Sequence, residues 1–417
     1  MKSIMLENNV ALRRAIEGLR SGVPNRDVVV QLPPTQKNVD EAFNEVLDET
    51  ENSFETGKQA QGLLLKGEFG TGKSHWLEYF EHLAQERNFV LSRIVLNKET
   101  PLHDITKIYR ACVLSARVNG KIGPALEEIT LNYNRDKVPD YHRFSKWVET
   151  TKDLDPRFPA TLTLLEKNPS EELREKIILE WTGYSMRVKE LKDALKAIGE
   201  HQNYKIAAPL KGKLTQRFEF LTRFFKSAGY NGWVLLIDET EMISRYSVRQ
   251  RGRAYANLAR IYGKSKEVNI PGLASVFTIT KEFSGIILHG DLKCDIESIP
   301  EKLKDTNDQE HIPAAKDGMN IIDKPGVQLV QPNRDQLNEV YEKVAKLYTE
   351  AYGWQAPQLE NKLEWAQATR MRQYIRSWVG AWDFKRLYDY EGKVKIDDVK
   401  QSYNEDVDFQ NEDQPAI

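Results

Sequence analysis

Gly62-Leu63-Leu64-Leu65-Lys66-Gly67-Glu68-Phe69-Gly70-Thr71-Gly72-Lys73-Ser74 decides how this chain is read. Leu63 to Leu65 is a short apolar run of the kind that forms a buried parallel strand. Gly67 to Ser74 then fits the phosphate-loop pattern G-x-x-x-x-G-K-[ST] at every fixed position. The chemistry explains the residue types. Gly67, Gly70 and Gly72 let the backbone turn tightly and bring its N–H groups against phosphate oxygens. Glu68, Phe69 and Thr71 complete that cradle. Lys73 sets an ammonium between the β- and γ-phosphates, and the Ser74 hydroxyl is a Mg²⁺ ligand. His75 to Ala84 continues as a helix whose positive end faces the same anion. His75 itself is placed either to touch the nucleotide or to pack behind the loop.

Working outward, Gly232-Trp233-Val234-Leu235-Leu236-Ile237-Asp238-Glu239 supplies the second element that such a loop requires. A buried strand ends at the site, with Asp238 aimed at the Mg²⁺ shell. Glu239 follows, placed to orient and deprotonate the attacking water. Glu241 is close enough to act as polar support. A further buried strand, Leu273 to Thr280, sets Thr280 at its end to hydrogen-bond the γ-phosphate or the water. With a strand at residues 88–96 and a helix at 102–118, strand and helix alternate. The expected fold class is α/β, a P-loop NTPase with a parallel sheet.

Composition narrows the function classes. The 417 residues carry a formal net charge of −2, so no global positive field recruits nucleic acid and any DNA contact is a local patch. Cys112 and Cys294 are the only two cysteines, which excludes a disulfide framework and points to a reducing compartment. No apolar run approaches the roughly 18 residues of a membrane-spanning helix, and Met1-Lys2-Ser3-Ile4 lacks a signal-peptide core. The expectation is a cytoplasmic protein.

The chain divides by pattern into N-terminal helices (1–60), an ATPase core (61–290), a C-terminal helical part (291–400) and an acidic tail (401–417). Within the core, residues 119–215 break the alternation and read as a helical insertion. Trp147, Leu162, Leu164, Leu165, Ile177, Ile178, Leu179 and Trp181 are its candidate core. Residues 281–327 read as loops with short helices. Arg13 and Arg14 on the first helix either approach a nucleotide base or ribose or form a solvated face. Residues 244–261 carry Arg245, Arg249, Arg251, Arg253 and Arg260. These suit an arginine finger for a neighbouring subunit, a grip on a nucleic-acid backbone, or a solvated helix. Lys205, Lys211, Lys213 and Arg217 leave the same choice between phosphate contact and plain surface. Near the C-terminus Tyr374, Trp378 and Trp382 recur every four residues as core, beside Arg370, Arg372 and Arg376, one of which is placed to close over nucleotide.

Several stretches carry a resemblance. "RRAIEGLRSGVPN" at 13–25, "LKGEFGTGKSHWLEYF" at 65–80, "PLHDITKIYR" at 101–110, "VLLIDETEMISR" at 234–245, "RGRAYANLARI" at 251–261 and "TRMRQYIRSWVGAWD" at 369–383 together resemble the ATP-binding proteins of BREX bacteriophage-defence systems, a branch of the AAA+-like P-loop ATPases. The resemblance implies ATP and Mg²⁺ as ligands, an AAA+-type C-terminal helical lid, and work beside other phage-defence proteins that act on DNA. By position it assigns Gly67, Gly72, Lys73 and Ser74 to the phosphate loop, and Asp238 and Glu239 to the metal and water. Thr280 falls near the first sensor, and Arg372, with Arg376 beside it, near the second. The first-sensor stretch departs from the pattern in lacking an Asn.

Three functions follow as expectations: an oligomeric ATP-hydrolysing remodeller of a defence complex, an ATP switch like a replication initiator or signalling ATPase, or a DNA-binding adaptor with structural nucleotide. A finger acting between subunits requires a homo-oligomer. DNA binding, if present, is non-specific and salt-sensitive.

Overall fold

β1 (Leu63–Lys66), β3 (Trp233–Asp238) and β4 (Leu273–Ile279) are buried along their whole length, without the in–out alternation of a one-sided sheet. That pattern requires cover on both faces, which is how parallel strands joined by helices are built. β2 (Val90–Val95) and the two-residue β5 (Val327–Gln328) complete a parallel five-stranded sheet in the order β2-β3-β4-β1-β5. The computed structural model describes residues 2–23, 25–200, 204–206, 214–290, 293–304, 308–360 and 371–390. Residues 401–417, read as an acidic tail, lie outside these, as do Arg370, Lys211 and Lys213.

In chain order the helices before β1 are α1 (Lys2–Ser21), α2 (Arg26–Gln31) and α3 (Lys37–Thr56). α4 (Lys73–Glu86) joins β1 to β2. Between β2 and β3 come α5 (Ile105–Ser115), α6 (Ala125–Asn132), α7 (Tyr141–Thr150), α8 (Arg157–Glu166), α9 (Glu171–Thr182), α10 (Val188–Ala197) and α11 (Leu214–Ser227). α12 (Val248–Ile261) joins β3 to β4, and α13 (Asp295–Lys304) and α14 (Ile312–Asp323) lead to β5. α15 (Arg334–Tyr352) and α16 (Met371–Tyr388) follow. In the long β2–β3 connection Leu162, Leu164, Leu165, Ile177 and Trp181 are buried, whereas Leu179 is exposed on the outer side of α9.

Three apolar clusters organise these elements. One sheet face is covered by α3 and α4, where Phe43 and Phe80 stack with centroids 4.0 Å apart. The other carries α5, α11, α12 and α14, continuous with the core of the long connection. The third cluster leaves the sheet altogether: α1 and α2 pack with α15 and α16 around Tyr341, Tyr348, Trp378 and Trp382. Arg20 of α1 donates to both carboxylate oxygens of Asp383 on α16, at 2.7 and 2.9 Å. Tyr348 Oη donates to the same carboxylate at 2.8 Å. The two ends of the described chain thus build one helical layer.

The arginines of 244–261 mostly face inward. α12 is buried between the sheet and α14, and Arg251, 2% exposed, grips the fully buried Asp295 through Nε and Nη2 at 2.9 Å. Arg249 and Arg253 converge on Asp308, and Arg260 donates to Asn257 and Glu267. The pairs of Arg249, Arg251 and Arg253 fasten α12 to residues 295–308, so these three do not form a solvated helix face, while Arg245 lies outside these pairs. Residues 281–327 are also more regular than their polar composition suggests, because Ala314, Ala315, Met319 and Ile322 give α14 an apolar stripe. Asp295→Ala strands a buried guanidinium. It is expected to cost about 3–5 kcal/mol, read as a fall in the denaturant midpoint.

Among the described residues no helix is long and apolar enough to cross a membrane.

Candidate nucleotide site

At the carboxyl ends of β1 and β3 the chain emerges into a cavity of about 270 Å³. Its floor is the loop after β1. Gly72 caps α4 with φ +100°, a left-handed conformation in which a side chain is strained, and this bend turns the backbone into the helix. Phe69 to Trp76 line the cavity, so the first turn of α4 presents its amide ends there. Lys73 is only 8% exposed, and its Nζ donates to the carbonyls of Gly67 at 3.0 Å and Glu68 at 3.4 Å. The ammonium is therefore parked over its own loop, where a phosphate oxygen would offer a stronger acceptor.

Asp238 ends β3 facing this loop. Ser74 Oγ donates to Asp238 Oδ2 at 3.2 Å. A hydroxyl and a carboxylate oxygen this close are a hard-oxygen pair suited to Mg²⁺, which takes one or two protein ligands and completes its shell with water and phosphate. Glu239 follows in a left-handed conformation, φ +63°, and also lines the cavity. Burial pushes its carboxyl up to about 7, helped by the neighbouring charges of Glu241 and Asp238 and opposed by Lys73 and Arg245. Such a group is poised to take a proton near neutrality.

The roof comes from the helical layer. Leu19, Val28 and Leu32 of the N-terminal helices face Val340 and Ile375 across the cavity, and Arg372 enters from α16. A Cβ on Gly22, whose φ is +72°, would lie 3.0 Å from the Arg372 stem, so glycine there lets α1 close onto it.

The sequence-assigned residues divide as follows. Phe69, Gly70, Thr71, Gly72, Lys73, Ser74, His75, Asp238, Glu239 and Arg372 all line the one cavity. Gly67 and Glu68 lie just outside its lining: Gly67 N donates to Ile279 O at 3.1 Å, and the Glu68 carboxylate accepts from Gln331 at 2.7 Å. His75 is tied up, with Nε2 donating to the Leu32 carbonyl at 2.9 Å, and burial lowers its pKa. It serves as a latch between α4 and the end of α2. Thr280 is buried directly beyond β4 and is not among the lining residues, nor is Arg376. Arg13 donates to the Ala351 carbonyl at 3.1 Å and Arg14 pairs with Asp27 at 2.9 Å, which corrects their placement against a base or ribose.

Two features escaped the sequence. Thr278, one residue short of the end of β4, donates its hydroxyl to Asp238 Oδ1. The apolar roof is the other, since its residues read as ordinary amphipathic-helix core.

No curated protein matches the chain. Over residues 13–135 and 201–382 it matches the family model described as "BREX system ATP-binding protein BrxC/D". Residues 136–200, which hold the whole of α7 to α10, fall outside the match. With the match covering most of its length, the chain belongs to the BREX system ATP-binding proteins, a family with an ATP-binding role among the components of a phage-defence system.

Proposed function

We propose that the chain is a Mg²⁺-dependent, AAA+-like ATPase whose turnover switches or remodels a phage-defence complex acting on DNA. The observation that carries this reading is the convergence of Lys73, Ser74, Asp238 and Glu239 in one cavity beneath an apolar roof. The purine stacks among Leu19, Val28, Leu32, Val340 and Ile375, an apolar slot of the kind small-molecule sites use. Lys73 and the α4 amides hold the β- and γ-phosphates. Mg²⁺, when bound at Ser74 and Asp238, neutralises phosphate charge. Glu239 takes the proton of the attacking water, and Arg372 meets the γ-phosphate from the roof. The strand order, with β4 between the loop strand and the Asp238 strand, favours the AAA+-like arrangement. On this reading α15 and α16, joined by α1 and α2, act as the lid, and the helices inserted between β2 and β3 are an accessory unit.

A slow switch is favoured over a fast motor because Thr280, the candidate first sensor, does not line the cavity. The ion pairs that hold Arg249, Arg251 and Arg253 within the chain also remove the most obvious finger arginines. Measuring ATP turnover and particle mass together, with and without duplex DNA, tests the proposal. Slow Mg²⁺-dependent hydrolysis is expected, with any DNA effect fading as salt rises. Fast turnover by a strict monomer would refute the switch and the motor alike. Absence of hydrolysis with ATP bound would leave the nucleotide a structural role.

A further inference from the structure

The carboxylate of Asp238 is held asymmetrically. Oδ1 accepts two hydrogen bonds from the protein, one from Thr278 Oγ1 and one from the Glu239 backbone N–H at 3.0 Å. Oδ2 accepts from the Ser74 hydroxyl at the mouth of the phosphate loop. One oxygen is thus committed inward and the other is directed to the site. The sheet explains why Thr278 is the donor. β3 and β4 are parallel neighbours with Ile237 opposite Phe277, so the next pair along is Asp238 beside Thr278. Thr278 is fully buried, and a β-branched side chain has few χ1 choices, so its hydroxyl direction is set by the strand.

We infer that Thr278 is a positioning residue that selects which oxygen of Asp238 faces the cation, and so sets the affinity of the site for Mg²⁺. The inference rests on the nucleotide reading above but assigns a role to a residue that reading does not use. Thr278 does not line the cavity. Without its hydroxyl, Asp238 Oδ1 keeps only the Glu239 amide, and the carboxylate is free to rotate away from Ser74.

The test titrates Mg²⁺ at fixed ATP by calorimetry and by thermal shift, neither of which needs turnover. In Thr278→Val the Mg²⁺ concentration for half-saturation is expected to rise about tenfold, the loss of one hydrogen bond to a charged acceptor, with Mg²⁺-free ATP binding unchanged. Thr278→Ser, which keeps the hydroxyl, is expected to restore most of the affinity. Should the Val variant fail to fold, Thr278→Cys supplies a similar shape with a weak donor and the same expected shift. An unchanged Mg²⁺ requirement in Val or Cys, or a Ser variant as impaired as Val, overturns the positioning role. A wild-type protein that binds no Mg·ATP would instead bring down the nucleotide reading, and this inference with it.

Discussion

Lys73→Ala is expected to lower ATP affinity by about two to three orders of magnitude, the equivalent of losing charge-assisted hydrogen bonds to two phosphates. The fold should survive, because the ammonium contacts only carbonyls of its own loop, Gly67 and Glu68. Gly67 is buried and Glu68 exposed, so the loss of the donor is expected to cost a little stability beside the large loss of affinity. The substitution therefore separates binding from stability. Calorimetric titration with Mg·ATP reads the first, and the thermal midpoint of the nucleotide-free protein reads the second. An alanine variant that binds ATP like the wild type would remove the phosphate-loop interpretation, since that reading sets the Lys73 ammonium between the β- and γ-phosphates.

Glu239→Gln should leave ATP bound and slow turnover by about 10²–10⁴-fold, the contribution of a positioned general base. The pH dependence gives a second signature. Burial and the adjacent acids raise the Glu239 pKa from 4.5 to about 7. In the nucleotide-free protein the carboxylate therefore forms as pH rises through that value, whereas the Gln variant carries no group to titrate there. Stability moves the opposite way. A carboxyl whose folded pKa is raised is held comfortably while protonated, and folding loses that advantage as pH climbs from its unfolded value through the folded one. The Gln variant never acquires the charge beside Asp238 and Glu241. Its thermal midpoint should match the wild type near pH 4.5 and exceed it near pH 8. If the midpoints run parallel at both ends, Glu239 does not titrate as described.

These expectations share a tension that the structure makes visible. Glu239 combines positive φ with a buried, repelled carboxyl, and both are departures from what the fold alone would favour. Such departures are tolerated where the surroundings over-determine the conformation, here a fully buried β3 behind the residue and the short 3₁₀ turn Thr240–Arg245 after it.

Local pattern alone singled out the residues that form the cavity floor. Gly67 to Ser74 carry the phosphate-loop pattern because its glycines, ammonium and hydroxyl sit within eight consecutive positions. The apolar run ending in Asp238 and Glu239 places both acids at a strand end for the same short-range reason. Family membership was legible too, through blocks spread from the first helix to the last. The tertiary structure decided everything that depends on a partner far along the chain. Amphipathic spacing says that Leu19, Val28, Val340 and Ile375 are covered, but a stripe does not name what covers it, and only folding joins α1 to α15 and α16 as a roof. A charged side chain is equally mute. Arg251 looked available for phosphate until Asp295 met it in the interior, and Arg13 for a base or ribose until the Ala351 carbonyl did. Thr278 acquired its role from strand order, because a hydroxyl in a buried strand matters only when a carboxylate ends the strand beside it. Covalent neighbours carry chemistry that one stretch can spell out, whereas burial, pairing and register are relations between stretches and exist only once the chain has closed on itself.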